Sequence, residues 1–406
     1  MRKINVRDFT LANRLTAREV NRQILLNLVR EHQPISRAEL ARKMRVGRGV
    51  VSVLATKLIL EGAIYEGGRG KAARGRKPRY LYVRTHDRLA IAMDVRFSRT
   101  YIMLSDFAGK QVALESFKTM FSPSELVDEL AVRVRRLIRA QRAQGRVEGI
   151  GVVVPGIVEA RTGRVLNAPQ LAWRDVDLRG PLEAATGLAV HVENAATACA
   201  LGRMWLGERG ERAPSDFVYV TVSDGVGAAA VINGQVLRGP RHTAGEFGHI
   251  PLHPEGPHCL CGARGCWEAY TSNLATLSRF LHIEPGPADA QRLLKEEDIS
   301  IADVIARART GDATAIAALE HTGHYLGVGI SLIVKALAPA EIFVGGEITD
   351  AWDLIRDRVD AAIAERSLTG AAAATPVNPE PSGGHPRLRG ATALVSAPVF
   401  AAPRVA

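Results

Sequence analysis

Three of the chain's four cysteines fall close together as Cys259-x-Cys261-x4-Cys266, and His249 stands ten residues before the first of them. No other feature constrains the fold so tightly. Three thiolates and an imidazole brought to one point make a closed tetrahedral zinc site with no open position for catalysis. The glycines between the second and third thiols let the backbone fold round that point. His249, Cys259, Cys261 and Cys266 are therefore expected to hold a structural Zn2+. Cys199, alone in an alanine-rich helical run, is expected to be plain core packing. Cysteines spent on metal fit a reducing cytoplasm. No apolar run reaches the ~18–20 residues of a membrane span, and the N-terminus lacks a signal-peptide core.

Charge divides the chain. Residues 1–85 carry 20 Lys+Arg against 6 Asp+Glu, whereas the remainder carries 33 against 36, so the whole net charge of +11 originates in the N-terminal fifth. That part alone is expected to meet a polyanion. Val20, Ile24, Leu25, Leu28 and Val29 recur at helical spacing and predict a first helix, which Pro34 ends. Ser36-Arg37-Ala38-Glu39 reads as a capping box opening a short second helix. Met44 to Gly47 make a turn, and Arg48 opens a third helix with Val50, Val51, Leu54 and Leu58 as its packing face. This is the layout of a helix-turn-helix. Residues 63–65 and 80–83 then read as a hairpin, and six positive charges and four glycines lie between them at 67–79. Such a segment suits a basic wing that tracks phosphates or enters a minor groove. The candidate DNA contacts are Ser36, Arg37, Arg48, Gly49 and Ser52, with Arg69, Lys71, Arg74 and Arg76 on the wing.

Beyond His86, apolar strands alternate with helices, which argues an α/β body with a covered sheet. Strands are expected at 89–95, 101–105, 111–117 and 150–154, with a helix at 125–140. A second set follows at 217–222, 228–232 and 341–346, with a long helix at 312–337. The repeated layout suggests two similar lobes with a ligand cleft between them. Residues 281–300 and 369–386 read as surface insertions or connections.

Taken together, Glu246-Phe247-Gly248-His249 and Cys259-x-Cys261-Gly262-x-x-Gly265-Cys266-x-Glu268 resemble the signature of the ROK family (repressor, open reading frame, kinase). Ile35–Ala41 and Gly75-Arg76-Lys77-Pro78 resemble its regulator branch, which includes xylose- and N-acetylglucosamine-responsive repressors. The resemblance covers nearly the whole chain. It implies a winged helix-turn-helix over 1–85 and an actin-like, hexokinase-like two-lobed body. Lobe 1 would span 86–195, with 387–406 returning to it, and lobe 2 would span 196–386. It implies that Glu246, His249, Glu268 and Asn194 bind the hydroxyls of a sugar or sugar phosphate, that Gly156 lets backbone approach the ring, and that Gln170 stands where the family often has Asn. It also implies operator DNA as partner and a homodimer or homotetramer, since paired half-sites need paired modules.

The same resemblance permits a test for an ATP-dependent sugar kinase with an appended DNA module. The first phosphate loop, D-I-G-G-T-K in kinases, reads Asp94-Val95-Arg96-Phe97-Ser98-Arg99 here. The second reads Ser223-Asp224-Gly225-Val226-Gly227-Ala228-Ala229 in place of G-T-G-x-G-G-G. Glu193-Asn194-Ala195-Ala196-Thr197 lacks the Asp that serves as general base, a group worth ~10²–10⁴ in rate. The expectation is a regulator with no catalytic residue.

Overall fold

The computed structural model describes residues 14–69, 78–141, 144–207, 214–239, 243–283 and 299–401. Lys71, Arg74 and Arg76 lie outside the described residues, and Arg69 is described by its backbone alone.

The N-terminal part consists of α1 (Arg14–His32), β1 (Ile35–Ser36), α2 (Arg37–Met44), α3 (Arg48–Leu60), β2 (Ile64–Arg69) and β3 (Arg79–Val83). Its core is Leu25, Leu26 and Val29 of α1 against Leu40, Val51, Ala55, Leu58 and Leu81. The capping box forms as read: the Ser36 N–H donates to Glu39 Oε2 at 2.8 Å, and the Glu39 N–H donates to Ser36 Oγ at 3.3 Å. Arg45 takes the left-handed conformation, φ 56°, and turns the chain from α2 into α3. The three strands make a small antiparallel sheet in the order β1-β3-β2.

Next come β4 (Arg88–Val95), β5 (Arg99–Asp106), β6 (Gln111–Lys118), α4 (Pro123–Ala140) and β7 (Arg146–Val154). The short strands β8 (Ile157–Glu159), β9 (Arg164–Ala168) and β10 (Trp173–Asp177) form a satellite sheet, followed by α5 (Arg179–Thr186), β11 (Val190–Asn194) and α6 (Ala195–Leu206). The second half holds β12 (Phe217–Val222), β13 (Val226–Ile232), β14 (Gln235–Val236), α7 (Trp267–Thr271), α8 (Asn273–Phe280), α9 (Ile301–Arg309), α10 (Ala313–Leu337) and β15 (Glu341–Gly345). It closes with α11 (Trp352–Arg366), α12 (Gly370–Ala373), β16 (Val377–Pro379) and α13 (Pro386–Phe400).

The two large sheets share one plan. The first has order β11-β7-β4-β5-β6 and the second, read the same way, β16-β15-β12-β13-β14. In each, the central strand pairs in parallel on one side and antiparallel on the other. β4 and β12 are buried almost end to end, as strands covered on both faces must be. β16 was not foreseen: it lies in the stretch read as a surface connection, yet it completes the second sheet. Cys199 is buried core, as expected.

α13 returns to pack on β4 and β7 and lies along α6. The two helices approach closely because Gly390 abuts the α6 backbone, where a Cβ would collide with the Ala198 carbonyl. Their far ends meet the N-terminal part. Asn27 Nδ2 donates to the Phe400 carbonyl at 2.8 Å, and the Arg30 guanidinium lies over the rings of Trp205 and Phe400 at 4.8 and 5.0 Å.

Candidate ligand cleft and metal centre

The ligand atoms of His249, Cys259, Cys261 and Cys266 all lie within 4.8 Å of one another. A short 3-10 turn, Phe247–His249, brings in the histidine. Bridges between Pro251 and Cys266 and between His258 and Arg264 fold the loop back on itself, and Cys266 sits at the mouth of α7. Cys259 Sγ stands 3.7 Å from His249 Nδ1, and Cys261 Sγ stands 3.7 Å from Cys266 Sγ. Edges of that length belong to a tetrahedron with bonds of ~2.3 Å to sulfur and ~2.0 Å to nitrogen. The donor set thus fits a structural zinc, with every position taken by protein.

His249 has two faces. Nδ1 points to the thiols, while Nε2 lies 3.9 Å from Glu246 Oε2. A metal on Nδ1 would fix the tautomer and aim Nε2 outward. Glu268, in the first turn of α7, is almost wholly buried: Oε1 lies 3.4 Å from Cys259 Sγ and Oε2 accepts from the Val226 N–H at 2.9 Å. Burial, and then the neighbouring Glu268 charge, raise the Glu246 carboxyl above its usual range, with His249 acting in the opposite direction.

Gly156, Gln170, Asn194, Glu246, His249 and Glu268 all line one cleft between the two large sheets. Gln170 and Glu268 converge on Gly225, where a Cβ would meet both. Two of the six have internal duties that the sequence did not reveal. Gly156 is at φ +83° and a Cβ there would collide with the Asn167 carbonyl, so the bend itself requires glycine. Asn194 caps α6, accepting from the Ala196 and Thr197 N–H groups, while its Nδ2 donates to the Gly156 carbonyl at 2.6 Å.

Arg96, Asp224 and Arg387 also line the cleft, and sequence reading missed them as a group. Asp94, at 0% exposure, is held by two guanidinium groups: Arg96 Nε reaches Oδ2 at 2.6 Å and Arg387 Nε reaches Oδ1 at 3.0 Å. Arg96 extends from the first sheet to pair with Glu347 beyond the second, and Asn273 Nδ2 holds the other Glu347 oxygen at 3.0 Å. Burial works against the charge on Arg96, but Asp94 and Glu347 outweigh it and raise its pKa. Burial and then Glu347 push Asp224 up to about 6. A second link between the halves joins Arg238 to Glu193 at 2.6 Å. The one available signal was an arginine where the kinase loop has glycine; its partner lies 251 positions away in sequence.

The N-terminal candidates separate into two sets. Ser36 is 5% exposed and spends its hydroxyl on the cap, and Arg37 pairs with Glu66 of β2 at 3.0 Å. Arg48 and Gly49 are exposed at the start of α3, with Ser52 half-buried beside them. The expected packing face of α3 needs one correction: Val51, Ala55 and Leu58 are buried, but Val50 is 46% exposed. Among the described residues no helix is long and apolar enough to cross a membrane.

Known proteins place this architecture. The chain is 29% identical over 364 residues to the xylose repressor of Caldicellulosiruptor bescii, covering 88% of this chain and 90% of that one. A crystal structure of a ROK family transcriptional regulator, a homologue of the E. coli MLC protein, superposes with a TM-score of 0.77 at 26% identity, over 95% of this chain and 97% of the other. A ROK family glucokinase from Streptomyces griseus, solved with glucose and AMPPNP, matches at TM-score 0.65 and 27% identity, over 76% of this chain and 99% of the kinase. The ROK family model itself matches residues 91–397. An α/β body of two like-ordered sheets, with a Cys3His cluster on its cleft wall, is therefore that of a member of the ROK family, to which this chain belongs.

Proposed function

We propose that the chain is a sugar-responsive transcription regulator that represses carbohydrate-utilisation genes and is released from its operator by a sugar or sugar phosphate held between the lobes. Residues 1–85 act as a winged helix-turn-helix with α3 as the reading helix, 86–195 with 387–406 form lobe 1, and 196–386 form lobe 2. The protein works as a homodimer or homotetramer. The repressor relatives support the DNA-binding half of this reading. The observation that carries the coupling is the path of two helices. α6 is capped by Asn194 and α13 starts beside Arg387, both in the cleft, and both end against α1. Movement of one lobe relative to the other would be transmitted through them to the DNA-reading part. A sugar drives release only if it binds the released arrangement more tightly.

The same cleft argues against phosphoryl transfer. Arg96 hydrogen-bonds one Asp94 oxygen and the Arg387 guanidinium lies 3.0 Å from the other, so the carboxylate a magnesium-bound nucleotide would meet there is already neutralised from within the chain. Ala195 starts α6 where a base would be needed, and the carboxylates that do line the cleft are Asp224, Glu246 and Glu268. Glu246, Glu268, His249 and Gln170 instead suit ring hydroxyls, since each carboxylate or amide can serve two of them. The test is a thermal-shift screen of common sugars and their phosphates, followed by DNA-binding titrations with each hit. One hit should weaken DNA binding at least fivefold. Sugar-dependent ADP release from Mg-ATP would overturn the non-catalytic reading.

A further inference from the structure

α3 buries Val51, Ala55 and Leu58 along one stripe. The opposite ridge runs through Gly49, Val53 and Thr56, flanked by Val50, and all four are exposed. Val53 is 64% and Val50 is 46% exposed. Among the described residues, nothing packs over these two bare valines of a strongly basic module. The same holds at Gly49: a Cβ added there meets nothing within 4 Å, and its φ is ordinary. Glycine inside a helix is destabilising relative to alanine, and nothing among the described residues requires it here. A ridge that is apolar, shaved at its leading end and set among Arg42, Lys43, Arg45, Arg48 and Lys57 complements a surface that is apolar at its floor and anionic at its rims.

The major groove of duplex DNA has that character, with thymine C5-methyl groups on its floor and phosphates on either side. We infer that Val53, with Val50, reads thymine methyls, and that Gly49 admits the base edge beside them; this rests on the DNA-binding reading above. Side chains three apart on a helix face lie ~5–6 Å apart, so the two valines meet bases one or two steps apart at ~3.4 Å per step. Each half-site should therefore contain one or two thymines whose methyl group, rather than a hydrogen bond, is recognised.

The test uses the full chain. Preferred sites are first selected from a random 40-base-pair duplex pool. Each thymine of the selected duplex is then replaced singly by deoxyuridine, which removes only the methyl. The wild type should lose about fourfold in affinity at one or two positions per half-site, the value of one buried methyl at ~0.8 kcal/mol. Val53→Ala, at an exposed site and with unchanged Tm, should bind the thymine and deoxyuridine duplexes equally at one of those positions. Val50→Ala should do so at the neighbouring one. Wild-type indifference to every deoxyuridine overturns the proposal, and in that case a protein partner is left as the occupant of the ridge. Full methyl sensitivity retained by both variants also overturns it. If no duplex is enriched, the DNA-binding reading fails first, and this inference with it.

Discussion

The two ends of the interlobe cleft are built from the same sheets and do opposite things. At the metal end, Glu246, His249, Glu268 and Gln170 present polar groups to open space, and a Cys3His cluster behind them holds the wall. At the other end, the protein's own charges pair with one another along the wall of a second cavity: Asp94, Arg96, Arg387 and Glu347 neutralise one another across the two sheets. The S. griseus glucokinase shares the body at 27% identity and was solved with both glucose and AMPPNP. On the reading proposed above, the difference is how one fold keeps recognition and drops transfer. A buried carboxylate needs a counter-charge, and once arginines from within the chain supply it, the site no longer depends on a metal-nucleotide to be satisfied.

The strongest way to break the comparison is to remove the metal. Structural zinc sites in small peptides contribute about 10–16 kcal/mol to folding, so Cys261→Ser or a strong chelator should unfold the loop from His249 to Cys266. Both Tm and sugar response should fall together. A metal-free variant with normal sugar response would reduce the cluster to a plain staple. Next in size is the charged end. Arg96→Met leaves Asp94 and Glu347 short of a partner and should cost on the order of 3 kcal/mol, read by denaturant unfolding. The double variant Arg96→Met/Glu347→Leu should recover part of it, because the unpaired charge is gone.

Asp224 sharpens the comparison through pH. Its carboxyl is raised in the fold from 3.8 to about 6, so the fold loses stability as pH rises from about 4 through 6. At ~1.4 kcal/mol per pKa unit the loss has an upper bound of ~3 kcal/mol. Asp224→Asn should therefore raise Tm at pH 7.5 and leave it unchanged near pH 3.5; equal effects at both pH values would show that the carboxyl titrates normally. At the open end, Glu246→Gln should weaken sugar binding by about tenfold, the scale of a hydrogen bond to a charged group, with little change in the Tm of the free protein. Calorimetry of the screened sugar checks it.

The sequence made some of this legible and hid the rest for physical reasons. Local chemistry was readable: the Ser36–Glu39 cap and the Cys3His cluster follow from side chains a few positions apart. The six cleft residues were placed together by resemblance to a family motif. Periodicity is ambiguous in Val50-Val51-Ser52-Val53-Leu54, where nearly every position is apolar and no register stands out, so the spacing alone puts Val50 on the packing face that the structure leaves it outside. β16 escaped because Val377-Asn378-Pro379 has little strand character and is held by its parallel pairing to β15. The Arg96–Glu347 pair spans most of the chain, and its partners carry no local signal.

The central claim is that sugar in the cleft and DNA on α3 compete through the body. Linkage makes that measurable from the sugar's side. The sugar found by the thermal-shift screen should bind the free protein more tightly than the protein saturated with a selected duplex, by the same factor of about 5–150 by which it weakens DNA binding. Calorimetric titration with and without duplex gives both numbers. Equal sugar affinity in the two states would contradict the account, because a ligand that does not distinguish them cannot release DNA.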